Sequence, residues 1–246
     1  MKTLKITTIL IAAVMILSSG GHAIAGDVPS MNPEDFRKVA AGGLLYDKWY
    51  SVLEITTDGT HPAYPAEGRK KEASTWRCKE CHGWDYMGKD GTYSKGSHYT
   101  GIRGIRGYEA KTPDELVSVL NDNTHAIGAA ISEESYEALS FFVAYGQVDM
   151  DAYIDRSTKK AAGDLQNGAI IYSSTCARCH GEDGRNLNFK TAEKPQYLGT
   201  LSNKNPWETL HKIRFGQPSS QMPNMLFLDI EEQIDVLSYC QTLPVK

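Results

Sequence analysis

Cys78-Lys79-Glu80-Cys81-His82 and Cys176-Ala177-Arg178-Cys179-His180 are the two stretches that decide the fold of this 246-residue sequence. Both have the pattern C-x-x-C-H, and their first cysteines lie 98 residues apart. A four-cysteine zinc site needs its two pairs much closer together. A thioredoxin-like redox pair stands near a strand–helix–strand pattern, which surrounds neither stretch. Neither alternative explains a histidine directly after both pairs.

The repeated pentapeptide is the attachment signature of c-type haem. Two thiols three residues apart on one helical turn can each form a thioether bond with a haem vinyl group. The adjacent histidine then presents an imidazole nitrogen to the iron from beneath the ring. The sequence therefore predicts two covalently bound haem c groups, held by Cys78, Cys81 and His82 and by Cys176, Cys179 and His180.

The first 25 residues have the composition of a secretory signal peptide. Lys2 and Lys5 give a positive start, Ile9 to Leu17 form an apolar run, and Ala23-Ile24-Ala25 supplies a small-x-small cleavage site. The alternative is an uncleaved N-terminal anchor, but the apolar run is short for a span of about 20 residues. We expect an exported, periplasmic protein with no stable membrane insertion after signal cleavage.

Composition excludes several other classes of protein. The chain is 41% hydrophobic and 23% charged with a formal net charge of −4, so it is neither natively disordered nor a binder of nucleic acid through a broad basic face. No internal run reaches the roughly 18 apolar residues of a membrane span. The remaining cysteine, Cys240, is expected to be a buried structural thiol, with an intermolecular disulfide as the alternative.

The same order of helix signals occurs twice along the chain. Thr112-Pro113-Asp114-Glu115 and Asn205-Pro206-Trp207-Glu208 both have an N-cap residue, proline at the first helical position and glutamate at the third. An amphipathic helix then follows Ser132 in the first half and Asp229 in the second. The helices before the motifs are expected to start at Asn32-Pro33 and near Asp164.

Each half resembles a class I cytochrome c, and the whole chain resembles a two-domain dihaem cytochrome c. The resemblance is closest in the second half, where Gly168-Ala169-Ile170-Ile171-Tyr172, Cys176–His180, Gly181–Gly184 and Met222-Pro223 stand in family order. It implies an all-α fold of two tandem class I cytochrome c-like helical domains, each around one covalent haem. We place these domains at 26–155 and 156–246.

The first half departs from this pattern by an insertion near residues 51–76. Gly43 precedes Cys78 by 35 residues, whereas its apparent counterpart Gly168 precedes Cys176 by 8 residues. The extra 27 residues show no obvious period and are expected to form a long loop. That loop either covers the haem or the domain interface, or binds a partner or substrate.

The sixth iron ligand of the second half is predicted to be Met222, which lies 42 residues after His180 in the loop before the last helix. A thioether is a soft neutral ligand suited to haem iron. Met225 is the alternative, and packing in the core is the ordinary role of either methionine.

The first half has no Met-Pro step. Aligning the two C-terminal helices without gaps pairs His125 with Met222, and His125 lies 43 residues after His82. His125 is therefore the predicted sixth ligand, and His98 is its main competitor. The full set of predicted metal ligands is His82, His125, His180 and Met222.

Two protein ligands on each iron leave one-electron transfer as the remaining chemistry. The expected function is that of a carrier between a donor and an acceptor redox protein, and the oligomeric state is left open. The competing hypothesis is a dihaem oxidoreductase, a peroxidase or an oxidase of small sulfur compounds, or its electron-transfer subunit, with the first haem as active site. Arg103, Arg106 and Arg185 are expected either to pair with haem propionates or to be solvated.

Overall fold

The computed structural model describes residues 30–128 and 131–246, and within these ranges the chain forms helices and loops without a β-sheet. The predicted all-α class is confirmed, whereas the predicted signal peptide at 1–25 lies outside the described residues. No helix of the described ranges has the length and apolar character that crossing a membrane requires. The helices are α1 Pro33–Val52, α2 Cys78–His82, α3 Pro113–Leu120, α4 Glu133–Phe141, α5 Leu165–Ile171, α6 Ala177–His180, α7 Leu198–Lys204, α8 Pro206–Phe215 and α9 Ile230–Cys240.

The predicted helix starts are confirmed at most positions. The Asn32 side chain accepts hydrogen bonds from the first turn of α1, and Thr112 forms a capping box at the start of α3. Ser132 and Asp229 cap α4 and α9. Asn205 differs, because its amide donates to Glu208 at 2.7 Å and no side-chain cap forms. Helix α7 was not predicted.

A glycine allows the first helix of each half to cross the last one closely. A Cβ atom at Gly42 would collide with the carbonyl oxygen of Ala138 in α4. A Cβ atom at Gly168 would collide in the same way with the carbonyl oxygen of Asp235 in α9. The helix crossings α1–α4 and α5–α9 therefore depend on backbone-to-backbone contact at equivalent positions.

A tyrosine four residues after each of these glycines makes a second repeated contact. Tyr46 Oη donates to the carbonyl of Gly83 at 2.6 Å, and Tyr172 Oη donates to the carbonyl of Gly181 at 2.7 Å. Each acceptor directly follows the histidine of a C-x-x-C-H motif. The C-terminal end of each motif helix is thus anchored on the first helix of its own half.

These contacts correct the pairing of Gly43 with Gly168. Gly42 is the counterpart of Gly168, and the position of a Cβ on Gly43 is occupied by the ring of Phe215 in α8. The sequence alone does not distinguish Gly42 from Gly43 as the counterpart of Gly168. Only Gly42 lies on the face of α1 that crosses α4. The connection to Cys78 is therefore longer by 28 residues, since Tyr46 precedes Cys78 by 32 residues and Tyr172 precedes Cys176 by 4.

The insertion begins at the end of α1 and is irregular until a short 3-10 helix at Glu72–Trp76. Trp49 Nε1 donates to the carbonyl of Trp76 at 2.7 Å, which ties the end of the insertion to α1. Trp76 Nε1 in turn donates to the carbonyl of Gly59 at 3.1 Å. The predicted long loop is therefore a folded segment that packs on its own half.

Helix α8 of the second half is buried against the first half. His211 is fully buried, and its Nε2 donates to the carbonyl of Gly43 at 3.1 Å while its Nδ1 accepts from Tyr86 Oη at 2.9 Å. Burial lowers the pKa of His211 to about 3, so the ring is neutral at physiological pH. The buried apolar residues of both halves form a single cluster, which includes Leu210, Ile213 and Phe215 of this helix.

A buried charge cluster fixes the same contact. The carboxylate of Asp47 in α1 pairs with Lys212 of α8 and with Arg77, the residue before Cys78. Burial raises the pKa of Asp47, but the charges of Lys212 and Arg77 outweigh burial and hold this pKa below its usual range. One carboxylate therefore joins α1, the first motif and α8.

Candidate haem-binding sites

A cavity of about 320 Å³ lies at the first C-x-x-C-H motif. Its volume falls within the roughly 300–1,000 Å³ of ligand and cofactor sites. Cys78, Cys81, His82 and His125 contribute to its wall. The apolar remainder of the wall includes Tyr46, Ile102, Ile105, Tyr108, Leu116, Val119, Leu120, Ile127, Leu139 and Val143. The cavity therefore offers thiols and imidazoles inside an apolar enclosure.

The imidazole of His82 is held in one tautomer. Its Nδ1 lies 2.8 Å from the carbonyl oxygen of Arg103, which can only accept a hydrogen bond, so Nδ1 carries the proton. Burial lowers the pKa of His82 to about 4, which keeps the ring neutral. The free lone pair is therefore on Nε2, and a hydrogen bond to the second ring nitrogen is typical of metal-binding histidines.

The imidazole of His125 is oriented by Asp122. The carboxylate oxygen Oδ1 accepts from Nδ1 of His125 at 2.9 Å and from the backbone N–H of the same residue at 2.9 Å. It also accepts from the N–H of Thr124 at 2.9 Å, which closes the turn. Because the Asp122 carboxylate accepts a hydrogen bond from Nδ1–H, Nε2 is the ring nitrogen that is left to bind a metal.

The imidazoles of His82 and His125 lie close together in the wall of the cavity. The ring centroids of His82 and His125 are 6.3 Å apart, with an angle of 34° between the ring planes. Two metal–nitrogen bonds of about 2 Å, each extended by the radius of an imidazole ring, span roughly 6 Å between centroids. The separation of the two rings therefore fits one iron between them.

The competing histidine, His98, lies elsewhere. Its Nδ1 is 2.7 Å from Oε1 of the buried Glu80, and its ring stacks on Tyr93 with centroids 4.6 Å apart. His98 does not belong to the wall of the cavity. Its ring is instead hydrogen-bonded to a buried carboxylate of the motif helix.

Burial keeps the thiols of Cys78, Cys81 and Cys176 in the protonated form. Burial raises the pKa of Cys78 and of Cys81 to about 12, and it raises the pKa of Cys176 to about 11. A catalytic redox pair needs the opposite shift, because the thiolate is the nucleophile. All five cysteines are free of disulfides, and Cys240 is buried in the core as predicted.

The second motif is more open than the first. His180 and Cys176 are half-buried and Cys179 is exposed. The ring of His180 lies 6.2 Å from that of Phe189, and its Nδ1 is buried without a hydrogen-bond partner among the described residues. Large apolar side chains stand exposed in the segments beside the motif and in the loop before α9: Ile170, Leu187, Phe189 and Phe227.

The two candidate methionines of the second half differ in their surroundings. Met225 is buried in the core, and its N–H donates to the carbonyl of Ile213 at 3.0 Å. Met222 is half-buried, and its carbonyl packs against Gly216. The side chain of Met225 is therefore committed to packing, whereas that of Met222 retains an accessible side.

The three arginines have different partners. Arg103 contributes to the wall of the first cavity and lies over the ring of Tyr108 at 4.7 Å. Arg106 pairs with Asp149 and Glu109, and Arg185 pairs with Asp183. Of the three, Arg103 alone forms part of the cavity wall.

Two residues of the first site went unrecognised in the sequence. Asp122 precedes His125 by three residues, a spacing at which an aspartate can hold both the backbone and the ring, and this signal was available. His61 also lines the cavity, and its Nε2 lies 2.6 Å from the carbonyl oxygen of His125. No local pattern pairs these two positions, which are 64 residues apart.

Part of the second half matches a protein-family model. The family model described as cytochrome c oxidase, cbb3-type, subunit III matches residues 163–239. The matched segment includes the second C-x-x-C-H motif, Met222 and nearly all of α9. This segment is similar to a cytochrome c domain, and such domains bind haem c covalently and transfer electrons. Curated proteins and solved structures give no match.

Proposed function

We propose that this protein is an exported dihaem c-type cytochrome that carries single electrons between a donor and an acceptor protein in the periplasm. The two halves are two cytochrome c domains, at 26–155 and 156–246, and each binds one haem covalently. The matched segment 163–239 supports the second domain. The observation that carries the proposal is the pair of imidazoles in the wall of the cavity beside the first motif, whose ring centroids are 6.3 Å apart.

The case for a first cytochrome domain is the repetition of contacts. The glycine-mediated crossing of first and last helices and the tyrosine bond behind the motif histidine occur in both halves. Gly83 and Gly181, which follow the two histidines, have nearly the same positive φ of 81° and 84°. The same contacts surround both motifs, which supports a cytochrome domain around the first motif as well as the second.

In the first domain, His82 and His125 are the proposed iron ligands, and Cys78 and Cys81 form the thioethers. Both histidines are oriented through Nδ1, by a carbonyl and by a carboxylate, so in each ring Nε2 is the nitrogen left to bind iron. Two imidazoles held in this way leave no position for a substrate. The first site therefore favours electron transfer over peroxidase or oxidase chemistry.

In the second domain, His180 and Met222 are the proposed ligands, with Cys176 and Cys179 as the attachment points. The exposed apolar side chains beside the motif have the character of a surface that a flat apolar group would cover. Met222 is the favoured methionine, because the side chain of Met225 is part of the core.

Bound haem supplies an iron that accepts and releases one electron without losing its ligands. The chain's contribution is to hold those ligands rigidly and to set the potential. Histidine–methionine ligation gives a higher potential than ligation by two histidines. We therefore place electron entry at the first haem and electron exit at the second.

Optical spectroscopy with added carbon monoxide tests the carrier function. We expect the oxidised protein to show two six-coordinate low-spin haems and no reaction with peroxide, and the reduced protein to bind little carbon monoxide. A redox titration should resolve two potentials, the lower one belonging to the first haem. A high-spin haem that reacts with peroxide would contradict the carrier function, and a single shared potential would contradict the direction of transfer.

A further inference from the structure

A third histidine, His61, belongs to the first cavity and comes from the insertion. Its Nε2 lies 2.6 Å from the carbonyl oxygen of His125, the proposed sixth ligand. A carbonyl oxygen only accepts, so His61 donates from Nε2. The insertion is thereby hydrogen-bonded to the backbone of the segment that presents His125.

Both ring nitrogens of His61 are engaged. The backbone N–H of Ala63 donates to Nδ1 at 3.1 Å, so Nδ1 is unprotonated and Nε2 carries the proton. His61 therefore serves as a hydrogen-bond donor in a fixed tautomer, and neither nitrogen is free to bind a metal.

The ring of His61 is itself held in place. It packs edge-on against Trp76 with centroids 4.5 Å apart, and its backbone N–H donates to Thr75 Oγ1 at 2.9 Å. Trp76 is bonded to Trp49 of α1 through its carbonyl. The hydrogen bond from His61 to His125 is thus connected to α1 through the contacts of Trp76.

The carbonyl oxygen of His125, which accepts the hydrogen bond from His61, lies next to a residue in an unfavourable backbone conformation. The carbonyl of His125 belongs to the peptide that leads into Ala126, whose φ is +50°. A left-handed conformation is unfavourable for a residue with a Cβ atom and persists only where its surroundings enforce it. The bond from His61 fixes this peptide, while Asp122 fixes the ring on the other side of the same residue.

We propose that His61 is a positioning residue that keeps His125 on the iron of the first haem, and that this is a function of the insertion. The inference rests on the proposed role of His125 as sixth ligand. The second half lacks such a loop, and there the Met225 N–H ties the ligand segment directly to Ile213 of α8. In the first half, His125 stands where the second half has Met222, and His61 holds the backbone of His125.

The test is the rate at which the reduced first haem binds carbon monoxide, which requires the sixth ligand to leave. His61→Phe keeps a ring against Trp76 but donates no hydrogen bond. We expect it to bind carbon monoxide roughly 5-fold faster than the wild type, the effect of one lost hydrogen bond on the population with a free sixth position. His61→Gln retains an amide donor and should restore the wild-type rate. The potential of the second haem should not change in either variant.

An unchanged carbon monoxide rate and an unchanged oxidised spectrum in His61→Phe would overturn the positioning role. His125→Ala separates this failure from that of the proposed function. If His125→Ala frees the sixth position of the first haem and His61→Phe does not, His61 is not a positioning residue, although the assignment of His125 as ligand stands. If His125→Ala leaves the spectrum unchanged, the ligand assignment itself is wrong. Should His61→Phe not mature with two haems, His61→Leu carries the same expectation with a smaller side chain.

Discussion

Replacing His125 by alanine is expected to open the sixth coordination position of the first haem. His125 lines the cavity together with His82, with the two ring centroids 6.3 Å apart, and alanine offers no ligand in its stead. About half of the total haem should turn high-spin in the oxidised protein, since one haem of two is affected. The reduced variant should bind one carbon monoxide per protein, measured by optical titration.

His98→Ala is the matched control for this prediction. It also removes a histidine near the first motif, but the imidazole it removes is bonded to Glu80 and stacked on Tyr93. We expect its oxidised spectrum and its carbon monoxide binding to equal those of the wild type. A high-spin haem in His98→Ala together with a low-spin spectrum in His125→Ala would show that the ligand assignment is reversed.

Replacing Asp47 by alanine is expected to be strongly destabilising. Asp47 is 1% exposed, and its loss leaves Lys212 and Arg77 without their shared counter-charge. Breaking a buried ion pair from one side costs about 3–5 kcal/mol of unfolding free energy. Because the carboxylate links α1 to α8, the loss should also weaken the contact between the halves. Denaturant unfolding of the haem-loaded protein measures both the stability and the cooperativity.

Glu137→Ala provides the comparison for Asp47→Ala. Glu137 also pairs with a residue of α1, Lys38 at 2.8 Å, but its side chain is 44% exposed. Exposed pairs contribute about 0–1 kcal/mol, so this variant should remain close to the wild type. Equal stability losses in the two variants would contradict the role assigned to the buried cluster.

The same carboxylate makes stability depend on pH. The pKa of Asp47 is lower in the folded protein than its usual value of 3.8, so its contribution is complete above that pH and is lost as the pH falls below it. The unfolding free energy of the wild type should therefore decline on acidification below about pH 4. Asp47→Ala should show a shallower decline over the same interval, and an identical slope would contradict this origin.

Local chemistry was sufficient to predict the helix starts and the motif helices. Asn32, Thr112, Ser132 and Asp229 act on backbone groups two or three residues away, so the sequence contains their whole interaction. The pairing of His125 with Met222 came from the register of two capped helices. His125 contributes to the wall of the cavity beside the first motif, and its role as a ligand stays a prediction.

Contacts between distant segments could not be predicted in the same way. Whether Gly42 or Gly43 is the counterpart of Gly168 depends on which face of α1 crosses α4. That face cannot be read from the sequence. Lys212 and Asp47 are 165 residues apart, and nothing local to α8 shows that it enters the first half. The bond from His61 to His125 is of the same kind, since it exists only after the insertion has folded back on the cavity.

Two covalent haem groups are the premise of this account, and the intact mass of the purified protein tests that premise most directly. Material produced with a functional haem-ligation system should have the mass of residues 26–246 plus two haem groups. Peptides that contain Cys78 and Cys81, or Cys176 and Cys179, should each carry one of them. A mass with one haem, or that of the bare polypeptide, would contradict the account.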